Sequence, residues 1–218
     1  MSEQTTTPGP HQGREILAGG KPLDEAKAAI ILIHGRGASA YDIMELGLLL
    51  GGDQFALLAP QAANNTWYPF SFLAPLANNE PYLSSALQAV ADLVDQVETA
   101  GIPAANIILA GFSQGACLAS EFTARNARRY GGLLLFSGGL IGPPGTPRGY
   151  AGSLAGTPVF IGCSDIDAHI PLARVQETTE VLTALGAEVH EKIYPGMAHT
   201  IIQDELDQAA KIVEQLTT

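Results

Sequence analysis

The sequence predicts an α/β fold with a mostly parallel central sheet and helices on both of its faces. Short, continuous apolar runs have the pattern of strands that are buried on both faces. Segments with apolar residues at helical spacing separate these runs, and such an alternation is typical of a parallel sheet covered by helices. No large insertion interrupts the alternation, so we expect no large cap domain.

The overall composition limits the classes of protein that need to be considered. The chain has 218 residues, of which 46% are hydrophobic and 15% charged, as in a compact globular protein with a substantial core. The net charge of −11 disfavours nucleic acid and anionic membrane surfaces as partners, because both are negatively charged. Cys117 and Cys163 show no metal-ligand spacing and are too few for a disulfide framework, so we expect buried free thiols.

The start of the chain carries no sign of a targeting segment. Residues Met1 to Gly13 lack the charged and apolar regions of a signal peptide, and no apolar run reaches membrane-spanning length. We therefore expect a cytoplasmic protein without stable membrane insertion. We also expect Met1 to Gly13, rich in Thr, Pro and Gly, to form a flexible arm, and residues 14–218 to form a single domain.

The first elements of that domain are strands. A short strand is expected over Glu15 to Ala18, turning at Gly19-Gly20 and pairing antiparallel with the next strand. The apolar run from Ala28 to Ile33 predicts a fully buried strand, and Phe55 to Ala59 predicts another, closed by a proline.

A long irregular loop and an amphipathic helix follow. The loop from Gln61 to Pro81 contains Trp67, Tyr68 and Phe70 among Asn and Pro residues. These aromatic side chains either line a substrate pocket or clip the loop to the core. Apolar residues then recur at helical spacing up to a Gly and a Pro, which predicts a helix with the buried positions Leu83, Ala86, Leu87, Val90, Leu93, Val94 and Val97.

The second half of the chain continues the alternation. Its predicted elements are a helix over Ser113 to Ala127, a strand over Gly132 to Phe136, a Gly- and Pro-rich loop over Gly138 to Ala155, a strand over Pro158 to Gly162, a helix over Leu172 to Leu185 and a strand over Glu188 to Tyr194. A last helix has the apolar stripe Ile202, Leu206, Ala209, Val213 and Leu216.

One stretch has a local geometry that implies a chemistry. An apolar run from Ile107 leads directly into Gly111-Phe112-Ser113-Gln114-Gly115, a G-x-S-x-G motif in the strand, turn and helix context that it requires. The turn would expose the Ser113 hydroxyl, and the backbone N–H of Gln114 would point to where an oxyanion forms. Ser113 is thus a candidate nucleophile. The alternative is an ordinary Gly-Ser turn between a strand and a helix.

A serine nucleophile needs a base and a carboxylate that orients the base. Of the five histidines, His199 is the best candidate, because it follows the last strand in a Gly-containing turn and comes after Ser113 and an acidic loop in the chain. His169 remains open, whereas His34 suits a structural role. The carboxylate is either Asp165 or Asp167, which the pattern cannot separate.

A second oxyanion donor is expected from the loop after the Ala28 to Ile33 strand. There, glycines on both sides of Arg36 let the backbone approach the site, so we assign this donor to the N–H of Arg36. The Arg36 side chain either steers an anionic substrate or faces solvent.

These residues resemble the phospholipase/carboxylesterase family of α/β-hydrolases, which includes acyl-protein thioesterases and bacterial carboxylesterases. The matching pieces span most of the chain: His34-Gly35-Arg36-Gly37, the Gly111 to Gly115 motif, the Asp165 to Pro171 segment and Gly196 to His199. The resemblance implies that Asp167 is the acid that orients His199, although Ser164 and Ala168 stand where the family usually has Gly and Pro. Arg36 stands where thioesterases commonly have Leu, and Trp67-Tyr68-Pro69 replaces their usual Trp-Phe-Asp, so the bacterial carboxylesterase branch is preferred.

The sequence and the resemblance together predict a cofactor-free serine carboxylesterase without a metal site. It would hydrolyse small-molecule esters through Ser113, His199 and Asp167 with an acyl-enzyme intermediate. Short- to medium-chain esters are expected because no large cap closes the site. The expected substrate pocket contains Trp67, Tyr68, Phe70 and Ile170. The alternatives are an acyl thioesterase or a dienelactone-type hydrolase with the same triad, and a non-catalytic binding protein on this scaffold. A homodimer is compatible with the sequence.

Overall fold

The protein is built around one sheet of seven strands in a computed structural model that describes residues 9–52 and 54–216. The strands lie side by side in the order β1-β3-β2-β4-β5-β6-β7, and all pairs except β1–β3 are parallel. Their bounds are β1 Ile16–Gly20, β2 Ala29–Ile33, β3 Ala56–Pro60, β4 Ile107–Phe112, β5 Gly132–Phe136, β6 Pro158–Ser164 and β7 Glu188–Tyr194. The prediction of a mostly parallel α/β fold without a large cap is confirmed.

The described part of the chain has five α-helices, of which the first four connect strands and the fifth follows β7. They are α1 Ala40–Leu49, α2 Tyr82–Thr99, α3 Gln114–Arg125, α4 Leu172–Ala184 and α5 Gln203–Glu214. Sequence analysis placed no element over α1, although Ser39 begins it with a capping box. The Ser39 hydroxyl accepts from the Asp42 N–H, and the Asp42 carboxylate accepts from the Ser39 N–H.

The sheet separates two apolar layers because successive strand residues point to opposite faces. In β2, Ile31 and Ile33 pack into the layer that includes α2, α3 and α4, whereas Ile30 and Leu32 pack into the layer with α1 and α5. All four side chains are fully buried, and each contributes about 1.5–3 kcal/mol relative to an exposed position. The run from Ala28 to Ile33 therefore has no polar side because both of its faces lie in the core.

The partner of the first strand differs from the prediction. β1 pairs antiparallel with β3, with Ile16 opposite Pro60, and not with β2, the next strand in the chain. Both edges of β2 are occupied by β3 and β4, so the free edge available to β1 belongs to β3.

The predicted loose arm is wrong for residues 9–13, while residues 1–8 lie outside the described part of the chain. His11 is buried, and its ring bonds to the Trp67 carbonyl through Nε2 at 2.8 Å and accepts from the Ala63 N–H through Nδ1 at 3.1 Å. Its own N–H donates to the Ser85 hydroxyl at 2.9 Å. This histidine anchors the segment, and composition alone did not show that.

The loops at the carboxyl ends of the parallel strands meet along one edge of the sheet. This edge collects the residues that follow β2, β4, β6 and β7, which are the four segments that carry the predicted site. Among the helices that the structure describes, none is both long enough and apolar enough to span a bilayer.

Candidate active site

Ser113 occupies a sharp turn between β4 and α3. Its backbone has φ 55° and ψ −118°, a conformation that is uncommon for a non-glycine residue and that lifts the side chain off the sheet. A Cβ at Gly115 would overlap the carbonyl groups of Ile33 and His34, and one at Gly111 would overlap the backbone of Gly115. The two glycines are therefore required by close packing of the turn against β2 and α3.

His199 lies between the serine hydroxyl and a carboxylate. Its Nε2 is 2.9 Å from the Ser113 Oγ, and its Nδ1 is 2.7 Å from the Asp167 Oδ2. Since a carboxylate only accepts, Nδ1 carries the proton and Nε2 is free to accept from the hydroxyl. The rings of Phe112 and His169 pack on the imidazole, with centroid distances of 4.9 and 4.8 Å. The structure brings the three predicted residues into one hydrogen-bonded chain.

Asp167 is held as a buried carboxylate. Its side chain has no exposed surface, and its Oδ1 accepts from the backbone N–H groups of His169 and Ile170 at 2.8 and 3.0 Å. Burial acts to raise the pKa of Asp167, but the hydrogen bonds from His199 and these two N–H groups outweigh it, so the pKa lies below its usual value.

Asp165 has a different place in the same loop. Its Oδ1 accepts from the Gly196 N–H at 2.8 Å, which ties the loop after β6 to the turn that carries His199. The ambiguity between the two aspartates is thus resolved by geometry, since Asp167 and not Asp165 contacts the imidazole.

Two backbone N–H groups next to Ser113 are unoccupied within the described part of the chain. They belong to Gln114, the first residue of α3, and to Arg36, in the loop after β2. The loop comes close to the serine at Gly35, where an added Cβ would lie 3.5 Å from the Ser113 Cβ. These are the two N–H groups that the sequence predicted for an oxyanion hole, and the amino end of α3 adds positive potential beside Gln114.

The side chains of these two residues hold the loop after β3. Gln114 accepts from the Trp67 N–H at 2.9 Å and donates to the Tyr68 carbonyl at 2.8 Å. Arg36 donates to the Thr66 hydroxyl and, at 2.9 and 2.7 Å, to the carbonyl groups of two residues further along the loop, Pro69 and Phe70. Sequence analysis missed both roles, because the partners lie 30 or more positions away. The Arg36 side chain is exposed, but it clamps a loop rather than pointing freely into solvent.

A cleft of about 600 Å³ opens in front of Ser113. Three of the four residues predicted for the pocket line it, namely Tyr68, Phe70 and Ile170. Further lining residues that sequence reasoning did not assign to the pocket are Phe72, Phe112, Cys117 and His169.

Trp67 was predicted to line the pocket, and that prediction is wrong. The side chain is fully buried between the rings of His11 and His34, and its indole N–H donates to the His34 carbonyl at 2.9 Å. It clips the loop to the core, which was the stated alternative. His34 has the predicted structural role. Burial lowers its pKa, and the neutral ring contacts the Gly35 carbonyl through Nδ1 and accepts from the Ala62 N–H.

No group of three or more His, Cys, Asp or Glu side chains within residues 9–52 and 54–216 has the arrangement of a metal site. The cleft brings the Ser113–His199–Asp167 chain together with the neighbouring His169. The arrangement can activate a hydroxyl by removing its proton and can stabilise an oxyanion with two backbone donors.

The sequence matches the model of the Phospholipase/Carboxylesterase family over residues 15–217. A phospholipase/carboxylesterase from Dyadobacter fermentans has a similar crystal structure, with 47% identity, a TM-score of 0.89 and coverage of 92% of this chain and 96% of that chain. Acyl-protein thioesterase 1 of Debaryomyces hansenii is 26% identical, over 92% of this chain and 95% of the yeast protein. The Bacillus cereus carboxylesterase shares the fold, with 19% identity, a TM-score of 0.73 and coverage of 94% and 95%.

The family match covers nearly the whole chain, including every segment that contributes to the cleft. The fold of this chain matches the Dyadobacter fermentans and Bacillus cereus structures over 92% and 94% of its length. The chain therefore belongs to the phospholipase/carboxylesterase family and is a carboxylic ester hydrolase with an α/β-hydrolase fold.

Proposed function

We propose that the protein is a serine carboxylesterase for short- to medium-chain esters, with Ser113 as nucleophile, His199 as general base and Asp167 as the residue that orients the base. One observation carries the proposal: the unbroken hydrogen-bonded chain from the Ser113 hydroxyl through both nitrogens of His199 to Asp167, at 2.9 and 2.7 Å. The Ser113–His199 contact is within the distance that proton transfer requires, and the His199–Asp167 contact orients the ring.

The proposed reaction has two halves. His199 Nε2 takes the Ser113 proton while the serine oxygen attacks the ester carbonyl, and the N–H groups of Gln114 and Arg36 bind the oxyanion. The imidazolium then protonates the departing alcohol, which leaves an acyl group on Ser113. A water molecule, deprotonated by the same nitrogen, hydrolyses the acyl-enzyme and restores the serine. Asp167 stabilises the imidazolium in both halves, and its lowered pKa keeps it ionised.

The size and openness of the cleft support the chain-length preference. A volume of about 600 Å³ holds a small ester, and the fold has no large cap that could cover a long acyl chain. Esters of acetate, butyrate, octanoate and palmitate test this preference, and a palmitate optimum would contradict it.

An acyl thioesterase is the second candidate, and the relative from Debaryomyces hansenii favours it. The same serine would attack a thioester, and the departing thiolate would need less help from the imidazolium because it is a better leaving group. Matched oxygen esters and thioesters of one acyl group separate the two candidate activities.

The cytoplasmic location and the homodimer stay predictions.

The test of the proposal is a Ser113→Ala variant, assayed with p-nitrophenyl acetate and with a serine-directed fluorophosphonate. We expect loss of both hydrolysis and labelling, whereas a Ser84→Ala variant, at an exposed position of α2, keeps both. Hydrolysis that survives in Ser113→Ala would refute the nucleophile. An unlabelled, inactive wild-type protein would instead support a binding function on this scaffold.

A further inference from the structure

The guanidinium of Arg36 lines the cleft and keeps part of its hydrogen-bonding capacity free. Its Nη1 donates to the Thr66 hydroxyl and the Pro69 carbonyl, and its Nη2 donates to the Phe70 carbonyl. These bonds leave the Nε–H and one N–H of Nη2 without a partner in the described part of the chain. Because the side chain is exposed where it lines the cleft, a ligand has access to these two donors.

The charge of Arg36 also has no carboxylate partner among the residues that the structure describes. Its three partners are neutral oxygen atoms. Four other arginines, by contrast, form ion pairs with glutamate side chains, namely Arg125, Arg128, Arg148 and Arg174. A guanidinium that is held in place without a counter-ion is suited to a carboxylate of the ligand, since two N–H groups can bind both carboxylate oxygens.

The surroundings of the cleft favour an anion at this position. The protein as a whole has a net charge of −11, but none of the described residues that line the cleft is Asp or Glu. The carboxylate of Asp167 has no exposed surface, and its oxygens accept from the His199 ring and from two backbone N–H groups. The cleft is therefore a local site for negative charge on an acidic protein.

The strand order indicates which arm of an ester meets Arg36. Arg36 follows β2 and His199 follows β7, whereas β4, which leads to Ser113, lies between these two strands. The two loops therefore reach the serine from opposite sides. Since His199 protonates the departing alcohol in the proposed reaction, the alcohol arm lies on its side, and the acyl arm is the one directed towards Arg36.

We propose that Arg36 selects esters whose acyl arm ends in a carboxylate, that is, monoesters of short dicarboxylic acids. The carboxylate binds the Nε–H and the free N–H of Nη2, while the ester carbonyl lies at Ser113. The bonds to the loop hold the guanidinium in place before the substrate arrives, so less conformational freedom is lost on binding. This inference rests on the proposed esterase activity and specifies its substrate class.

The test compares esters of equal shape that differ in the charge of one terminus. For the acyl arm, the pairs are monoethyl succinate with ethyl succinamate, monoethyl glutarate with ethyl glutaramate, and monoethyl adipate with ethyl adipamate. For the alcohol arm, the pair is 4-acetoxybutanoate with 4-acetoxybutanamide. The measured quantity is the kcat/KM ratio of carboxylate to amide within each pair, from acid release at constant pH. Comparing this ratio between wild type and variant cancels differences in intrinsic reactivity.

We expect Arg36→Gln to lower the ratio by about tenfold for at least one dicarboxylate length, the effect of roughly one charge-assisted contact at an exposed site. Arg36→Lys, which keeps the charge but not the paired donors, restores part of the ratio. Added salt lowers the ratio in the wild type and not in Arg36→Gln, because ions screen the charge.

Arg129→Gln is the matched control. Arg129 is also exposed and donates to two backbone carbonyl groups, those of Ala155 and Gly156, but it does not line the cleft. The substitution changes the net charge of the protein by the same amount as Arg36→Gln. We expect it to leave all four ratios unchanged.

A role of Arg36 in the loop clamp alone gives a different result. Loss of the clamp slows the carboxylate and the amide of a pair alike, so the ratio stays constant. A constant ratio in all acyl-arm pairs of Arg36→Gln would therefore overturn the inference, and so would a change confined to the alcohol-arm pair. Neither result affects the Ser113→Ala test, so the two proposals fail separately.

Discussion

Replacing Asp167 with Asn should reverse the direction of the hydrogen bond that His199 needs. The Asp167 Oδ1 is held by two backbone N–H groups at 2.8 and 3.0 Å, so the single oxygen of the amide will stay there. The amide NH₂ then replaces Oδ2 at 2.7 Å from the imidazole and donates to Nδ1. His199 must move its proton to Nε2, where it can no longer accept from Ser113.

The expected cost is close to a complete loss of general-base catalysis. We predict a fall in kcat of about 10⁴-fold at neutral pH, equivalent to about 5 kcal/mol in the activation free energy. The assay is steady-state hydrolysis of p-nitrophenyl acetate, with urea unfolding to show that the variant is folded.

Asp165→Asn is the matched control in the same loop. The Asp165 carboxylate accepts one bond, from the Gly196 N–H at 2.8 Å, and an amide oxygen can replace it. We expect kcat to change by less than about tenfold, because no proton of the imidazole moves. A larger loss in Asp165→Asn than in Asp167→Asn would refute the assignment of the orienting carboxylate.

Three further predictions concern the supports of the site. Arg36→Ala removes the clamp on the loop after β3, and we expect kcat to fall about tenfold in ester assays. This loss is smaller than the 10²- to 10³-fold loss expected when an oxyanion donor is removed. An unchanged kcat would show that the clamp does not position the site. Gly115→Ala should lower the free energy of unfolding by about 3 kcal/mol in urea titrations, because its Cβ would overlap the Ile33 carbonyl. Gly149→Ala is the control, since its Cβ would lie in open space, and it should change the free energy of unfolding by less than about 0.5 kcal/mol. Equal effects would contradict the packing argument. Burial raises the pKa of Glu205 to about 7, so the folded state binds its proton more tightly than the unfolded state, and stability is lost as pH rises through that value. Relative to Glu205→Gln, the wild type should lose unfolding free energy between about pH 5 and pH 8, and a constant difference would exclude this coupling.

Sequence patterns predicted the strands and helices whose residues are buried in the core. They gave wrong predictions where contacts with distant segments determine the structure. The run Ala28 to Ile33 predicted β2 to within one residue, because continuous burial leaves a continuous apolar pattern. The pairing of β1 depends on which strand has a free edge, and local sequence does not encode that. Likewise, His11 is buried by contacts with residues more than 50 positions away, so a Pro- and Gly-rich neighbourhood gave the wrong expectation.

Some residues of the candidate site could likewise be predicted from the sequence, whereas others could not. Ser113, His199 and Asp167 could be proposed from a local motif, chain order and a family resemblance, since the carboxyl ends of parallel strands bring such loops together. The geometry adds which aspartate contacts the imidazole. Trp67 was misplaced because an aromatic residue in a loop has the same sequence signal whether it faces a cleft or the core. Its burial follows from partners elsewhere in the chain.

The most direct measurement of the central claim is the mass of the protein during turnover of a slowly hydrolysed ester. After an acid quench, the proposed mechanism predicts one added acyl group per chain, located on the peptide that contains Ser113 and absent from Ser113→Ala. An acyl group on another residue, or rapid ester hydrolysis without any covalent adduct to Ser113 under conditions that favour its accumulation, would contradict the account.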